Sequence, residues 1–284
     1  MNTPAEENLV GIALEAMQPG GAGVGVVDEV GEHSAALRGC RVLIGPTDPC
    51  GQCEVCRRGG APVCPHARRR EPGVTRLQAA SRWLVTFGDS FDLPMPAAAA
   101  VPGDVALAYT IYARTGLGPR EPVVITGTTA VTRFLVEILI AKNIAPVVVA
   151  DDDDRAWRDW LVSKGAHVAS TGGEVRAAVT TAVAAQGLGA RPWRLLATDE
   201  VAVAASLAGP RATLTVLANR TIGALPAELL AREVTVIGVA GAHPDLVVEA
   251  AAMCVKGEID LAGGVVIGPN GDRTRAVVIP VVRS

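Results

Sequence analysis

Apolar positions follow two different rhythms along this chain. In the first hundred residues the runs are short and cut by Gly and polar breaks. Val24 to Val30, Cys40 to Ile44 and Arg82 to Phe87 read as strands. A loop dense in Pro, Gly, Cys and Arg, Gly45 to Gly73, separates the second from the third, and a Pro- and Ala-rich stretch, Leu93 to Gly103, follows. From Val105 onward strands and helices alternate. Helices are expected over Val105 to Thr115, Ala130 to Lys142, Arg155 to Lys164 and Val175 to Ala185, the third stopped by Gly165. Strands are expected over Pro122 to Thr126, Pro146 to Ala150, His167 to Ala169, Arg194 to Ala197, Thr213 to Leu217 and Val234 to Val239, with Val201 to Leu207 and Ala227 to Ala231 between the later ones. This alternation predicts the α/β class: a doubly wound parallel sheet with helices on both faces. Ala276 to Pro280 is a last strand without a preceding helix and is expected to return to the first domain. The expected domains are 1–104, 105–245 and a C-terminal return, 246–284.

Composition narrows the class. A chain of 284 residues, 49% hydrophobic and 19% charged, supports about two domains with a substantial core. The net charge of -3 gives no basic stripe for nucleic acid. The apolar run Val131 to Ile140 is broken by Arg133 and Glu137, so no membrane span is expected. Met1 to Gly11 carries Glu6 and Glu7 and no positive flank, unlike a signal peptide, so the protein is expected in the cytoplasm.

The most specific chemistry is Cys50-x2-Cys53-x2-Cys56-x7-Cys64, four of the six cysteines in one short loop. Four thiolates close a tetrahedral shell around zinc and leave no open position, which is the signature of a structural site. One zinc per chain is expected, in a lobe of about 45–73, with Gly51, Gly59 and Gly60 permitting its turns. Arg57 and Arg58 are expected to offset the charge of the thiolates. A redox pair and a [4Fe–4S] cluster are the alternatives.

With its flanks, this loop resembles the zinc-containing medium-chain dehydrogenase/reductase superfamily, the alcohol dehydrogenases. Gly25-Val-Val-Asp-Glu-Val-Gly31 resembles the strand and turn after the family's Gly-His-Glu motif, and Arg41-Val-Leu-Ile the strand leading to the zinc lobe. Thr110-Ile-Tyr112 resembles the helix that backs the nicotinamide. Val123-Val-Ile-Thr-Gly127 and Val147-Val-Val-Ala-Asp151 resemble the first two Rossmann strands, and Lys164-Gly-Ala166 the family's turn after the next helix. The resemblance runs from about residue 20 to 280 and implies a GroES-like β-barrel domain, truncated here, joined to a Rossmann domain.

The chain departs from that family at both of its working sites. The His and Glu of the Gly-His-Glu motif align with Gly21 and Ala22, no cysteine precedes Cys40, and the last catalytic ligand aligns near Ala106. Gly and Ala offer no ligand atom, so a catalytic zinc is not expected; His33, Cys40, His66 and His243 are the nearest substitutes and read as surface or packing residues. In the cofactor loop, Gly127-Thr-Thr-Ala-Val-Thr132 keeps only the first of three glycines. Thr129 and Thr132 take the positions that let the backbone approach a pyrophosphate and the helix pack on its strand. Thr128 and Thr129 are candidates for cofactor contact or for helix capping. Asp151 holds the place of the ribose-binding acid, which favours NAD over NADP, or else opens an acidic turn, Asp151 to Asp154, that caps the following helix. The barrel strands ahead of the lost motif read as mostly absent, and Ile267 runs to Thr274 without the amphipathic helix that the family places there.

Three readings stay open. The first is an oxidoreductase without catalytic zinc that binds NAD(H) and reduces a carbonyl or enone polarised by hydrogen bonds, with Thr110 and Tyr112 lining the nicotinamide pocket. The second is a non-catalytic scaffold or partner subunit. The third is a non-redox enzyme of elimination, cyclisation or rearrangement, with Asp104, Tyr109, Tyr112 and His243 as acid–base candidates. The cofactor candidates are Gly127, Thr128, Thr129 and Asp151; the metal ligands are Cys50, Cys53, Cys56 and Cys64. The resemblance also implies a homodimer through the edge strand Val234 to Val239, or a hetero-oligomer with a more complete relative, and a small-molecule ligand.

Overall fold

A computed structural model describes residues 8–88, 93–118, 120–171, 174–188, 191–217 and 226–281. Glu6 and Glu7, read above for targeting, lie outside them. In chain order the first elements are β1 (Leu9–Met17), β2 (Gly23–Val30), β3 (Arg41–Ile44), β4 (Thr47–Asp48), α1 (Glu54–Arg57), β5 (Arg68–Arg69), β6 (Arg76–Ala80) and β7 (Leu84–Phe87). A π-helical turn, Val101–Val105, leads into α2 (Ala106–Thr115). Then come β8 (Val123–Thr126), α3 (Ala130–Ala141), β9 (Val147–Ala150), α4 (Arg155–Ser163), β10 (His167–Ser170) and α5 (Val175–Ala185). The chain continues through β11 (Arg194–Ala197), α6 (Val201–Leu207), β12 (Thr213–Leu217), α7 (Ala227–Ala231) and β13 (Thr235–Val239). It ends in α8 (Pro244–Val255), α9 (Leu261–Gly264), β14 (Val265–Ile267) and β15 (Ala276–Pro280).

The chain divides into two compact units, Met1–Leu107 with Gly241–Ser284, and Ala108–Ala240. The first is built on a seven-stranded sheet in the order β14-β15-β1-β2-β3-β7, with β6 also paired to β1. Ile12, Leu14, Val27, Val42 and Ile44 fill its core. β1 corrects the expectation that strands ahead of Gly21 are mostly absent: it pairs with β2, β6 and β15. Gly11, Ala13 and Ala16 dilute its alternation of bulky side chains, and its pairing with β2 shifts register twice. Gly25 sits on that irregular stretch, where an added Cβ would fall 2.5 Å from the carbonyl oxygen of Ala13. β15 joins this sheet antiparallel to β1, and β14 lies parallel to it. The helix α8 went unmarked in the sequence reading, although Pro244 at its first turn and Gly257 beyond its end are ordinary start and stop signals.

The second unit is a six-stranded parallel sheet in the order β10-β9-β8-β11-β12-β13. β8, β9 and β12 are buried at every position, as a sheet covered on both faces requires. Chain order reverses at β8, which has β9 on one side and β11 on the other; in such sheets this switch point opens a crevice beyond the strands' C-terminal ends. Arg133 and Glu137, which break the apolar run of α3, are themselves buried. Glu137 pairs with Lys164 at 3.0 Å, and the guanidinium of Arg133 lies 4.2 Å from the ring centre of Trp160. Among the described residues no helix is long and apolar enough to cross a membrane.

Candidate cofactor cleft and metal centre

The sulfurs of Cys50, Cys53, Cys56 and Cys64 lie within 4.8 Å of one another. Cys53 Sγ is 3.8 Å from Cys64 Sγ, and Cys64 Sγ 3.5 Å from Cys50 Sγ. A tetrahedral shell with bonds of about 2.3 Å sets its sulfurs about 3.8 Å apart, so the four side chains fit a zinc ion. The local sequence builds this cluster. Gly51 turns at φ +70°, Cys53 caps α1, and α1 carries Cys56 inward; the two-stranded β4–β5 ladder ties off the lobe. Hydrogen bonds from the backbone of Gln52 and Cys53 draw the Cys50 thiol down to about 6, whereas burial pushes Cys56 up to about 12. A thiol held that high ionises at neutral pH only when a metal displaces its proton. Arg57 and Arg58 both pair with Glu54, at 3.3 and 2.7 Å. The guanidinium of Arg82 packs against Gly51, the residue after the first cysteine.

The other candidate site lies wholly within the second unit. A shallow cleft lies at the ends of β8, β9 and β11, lined by Thr126, Gly127, Thr128, Asp151, Thr171 and Glu200 together with Val149 and Val203. Gly127 adopts φ +111°, and a Cβ there would fall 2.6 Å from Thr198 Oγ1 and 2.7 Å from the amide of Asp199. That is the close approach a glycine permits. Thr129 caps α3 and does not line the cleft: its Oγ1 accepts from the amide of Thr132, and Thr132 Oγ1 accepts from the amide of Thr129. Thr132 is fully buried, where its hydroxyl meets the carbonyl oxygen of Gly127 at 3.0 Å and Thr198 Oγ1 at 2.6 Å. Asp151 and Asp154 have separate roles. Asp154 caps α4 through the amide of Trp157, and Asp151 faces the cleft and accepts a 2.7 Å bond from the hydroxyl of Thr171. Thr171 and Glu200 escaped the sequence reading, because no local pattern marks a residue just past a strand end.

The remaining candidates are dispersed. In the first unit, Asp104 sits on the π-helical turn and accepts a 2.7 Å hydrogen bond from Gln18 Nε2. Burial raises its carboxyl above the usual range, against the opposing effect of Gln18. Ala22 is buried beside Gly103: a Cβ added there would lie 3.0 Å from the Cβ of Ala22. His243 caps α8 by accepting from the amide of Asp245 and meets Trp83 edge-on at 6.4 Å. His33 and His66 are exposed. In the second unit the rings of Tyr109 and Tyr112 lie 5.8 Å apart on α2, and Thr110 is buried.

Residues 6–90 match the family model of the alcohol dehydrogenase GroES-like domain. No curated protein matches the chain. Among solved structures, D-arabinose dehydrogenase from Sulfolobus solfataricus is 18% identical, with a TM-score of 0.77 over 99% of this chain and 95% of that one. An oxidoreductase/dehydrogenase of unknown specificity from Escherichia coli is 18% identical, with a TM-score of 0.80 over 100% and 94%. A short chain alcohol dehydrogenase from Escherichia coli, solved with NADH, is 15% identical, with a TM-score of 0.77 over 99% and 94%. At these identities the likeness is one of fold. The family model covers residues 6–90 alone, and over the rest of the chain the likeness to these dehydrogenases is one of fold.

Proposed function

We propose that this chain is an NAD(H)-linked oxidoreductase of the alcohol dehydrogenase type that reduces a carbonyl or enone without a catalytic zinc. The observation that carries the reading is the pairing of Gly127 and Asp151 in one cleft at the switch point of the sheet, with the glycine at positive φ and the carboxylate held by Thr171. A bound nicotinamide would supply or accept hydride. Asp151 would accept hydrogen bonds from a ribose diol and repel a 2'-phosphate, which favours NAD(H) over NADP(H). The four cysteines would hold one zinc that shapes the loop and takes no part in chemistry, because a closed thiolate shell has no position for substrate. We also propose a homodimer formed along β13, at the edge of the parallel sheet with Thr235, Val236 and Gly238 exposed.

Titration calorimetry on the zinc-loaded protein tests the reading, with NADPH as control. Micromolar binding of NADH and weaker binding of NADPH supports it; no binding of NADH up to millimolar concentration overturns it. The reciprocal capping of Thr129 and Thr132 favours a second reading, a non-catalytic partner subunit, because it spends on the fold two amides that a cofactor loop offers to phosphate. Absence of NADH binding would leave that reading standing.

A further inference from the structure

Parallel sheets hold diphosphates with free amides at a helix N-terminus, in surroundings that do not oppose negative charge. Both conditions are altered in this cleft. The amides of Thr129 and Thr132 are each bound by the other's hydroxyl at 3.2 Å. The Thr132 hydroxyl is anchored further by the carbonyl oxygen of Gly127 and by Thr198 Oγ1. A ligand oxygen reaches those amides only by breaking a partly buried, interlocked set of bonds, which costs about 1–3 kcal/mol for each polar group left without a partner.

Charge acts in the same direction. Asp151 and Glu200 are both exposed acids lining the cleft, and none of its described lining residues is basic. Glu200 is the N-cap residue of α6, yet its side chain makes no capping bond there, so that helix's first amides do not take up its carboxylate. The rest of the lining is hydroxyl and apolar: Thr126, Thr128 and Thr171 with Val149 and Val203. Carboxylate acceptors, hydroxyls and apolar side chains suit an uncharged hydroxylated ring. They oppose a dianion.

We infer that the cleft holds its ligand by a nucleoside end, and that Glu200 is a specificity-determining residue that discriminates against phosphate. The inference rests on the cofactor reading above. NAD(H) is then retained by its adenosine half, and the diphosphate adds no affinity.

The test compares adenosine with ADP-ribose by calorimetry on the full zinc-loaded chain, as wild type and as Glu200→Gln. ADP-ribose is expected to bind wild type no more than about threefold more tightly than adenosine, and the substitution to strengthen ADP-ribose relative to adenosine about three- to tenfold. The same repulsion predicts that ADP-ribose binds wild type more tightly as ionic strength rises, a measurement that needs no variant. The inference is overturned by an ADP-ribose preference above that limit in wild type, by a preference that the substitution leaves unchanged, or by an ADP-ribose affinity that salt weakens. Failure of adenosine, ADP-ribose and NADH alike to bind would instead remove the cofactor reading, and this inference with it.

Discussion

Thr129 and Thr132 cap one another at the start of α3, each hydroxyl accepting the other's amide at 3.2 Å. The position that would be the family's third loop glycine has thereby become a structural joint. Thr132→Gly is expected to lower stability by about 2–3 kcal/mol, since it removes the reciprocal cap and leaves Thr198 and the Gly127 carbonyl short of a partner. Thr129→Ala, which removes one cap acceptor nearer the surface, is expected to cost about 1 kcal/mol. Urea unfolding of both variants checks the order. Equal costs would mean that the buried contacts of Thr132 contribute nothing.

The carboxyl of Asp104 predicts a pH dependence of definite sign. Its folded pKa is raised by burial, so as pH climbs past about 3.9 the unfolded chain releases this proton while the folded chain keeps it. This residue's contribution to stability is therefore full below that pH and falls as pH rises toward the folded value. Asp104→Asn keeps the neutral shape and still accepts from Gln18 Nε2 through its amide oxygen. The variant is expected to lose that slope and to be more stable than wild type at neutral pH. Thermal midpoints of the two proteins at a series of pH values measure the difference. Parallel curves would show that Asp104 ionises as freely in the folded state as in the unfolded one.

Removal of metal is expected to unfold the cysteine lobe before the rest of the first unit. Between β4 and β5 the lobe has one short helix, α1, a single 3₁₀ turn and few buried apolar residues, among them Ala61. Purified protein should carry about one zinc per chain by elemental analysis, and none after Cys56→Ser with Cys64→Ser. Chelation should sharply raise amide exchange in residues 50–67 and leave β1 and β2 protected. Less than about half an equivalent of zinc in protein purified without chelator would contradict the site. Acid should have the same effect as chelator, because protons compete with the metal for the sulfurs.

Legibility of this fold in its sequence followed the strength of local constraint. β8, β9 and β12 were readable because a strand covered on both faces is an unbroken apolar run bounded by breaks. The four cysteines were readable because metal ligation ties their spacing to one another. β1 was not, since Gly11, Ala13, Glu15 and two register shifts leave no clean period of two. Thr171 and Glu200 were not, for a different reason. They meet at the cleft only because β10 pairs with β9, and β11 with β8, in a parallel register that aligns Ser170 with Ala150 and Ala197 with Thr126. Spacing along the chain carries no trace of that alignment. The charges of α3 are legible only as breaks in an apolar run; tertiary packing buries Arg133 against Trp160 and pairs Glu137 with Lys164.

The proposed dimer makes the last prediction. β13 pairs with β12 on one side, from Thr213 opposite Thr235 to Leu217 opposite Val239. Its other side ends the sheet, and Val236 is 39% exposed there. Arg114 donates a 2.7 Å bond to the carbonyl oxygen of Gly238, which takes one edge acceptor out of play. A second copy would therefore pair through the Thr235 to Ile237 part of the strand. Val236→Lys places a charge in the middle of that segment, the device by which sheet edges are kept from pairing. Sedimentation at micromolar concentration should give a dimer for wild type and a monomer for the variant, with the thermal midpoint of the isolated fold little changed because the residue is outside the core. A wild-type monomer would remove the proposal. A dimer that survives the lysine would move the interface to another face of the molecule, and the exposed Leu230 on α7 would be the next position to substitute.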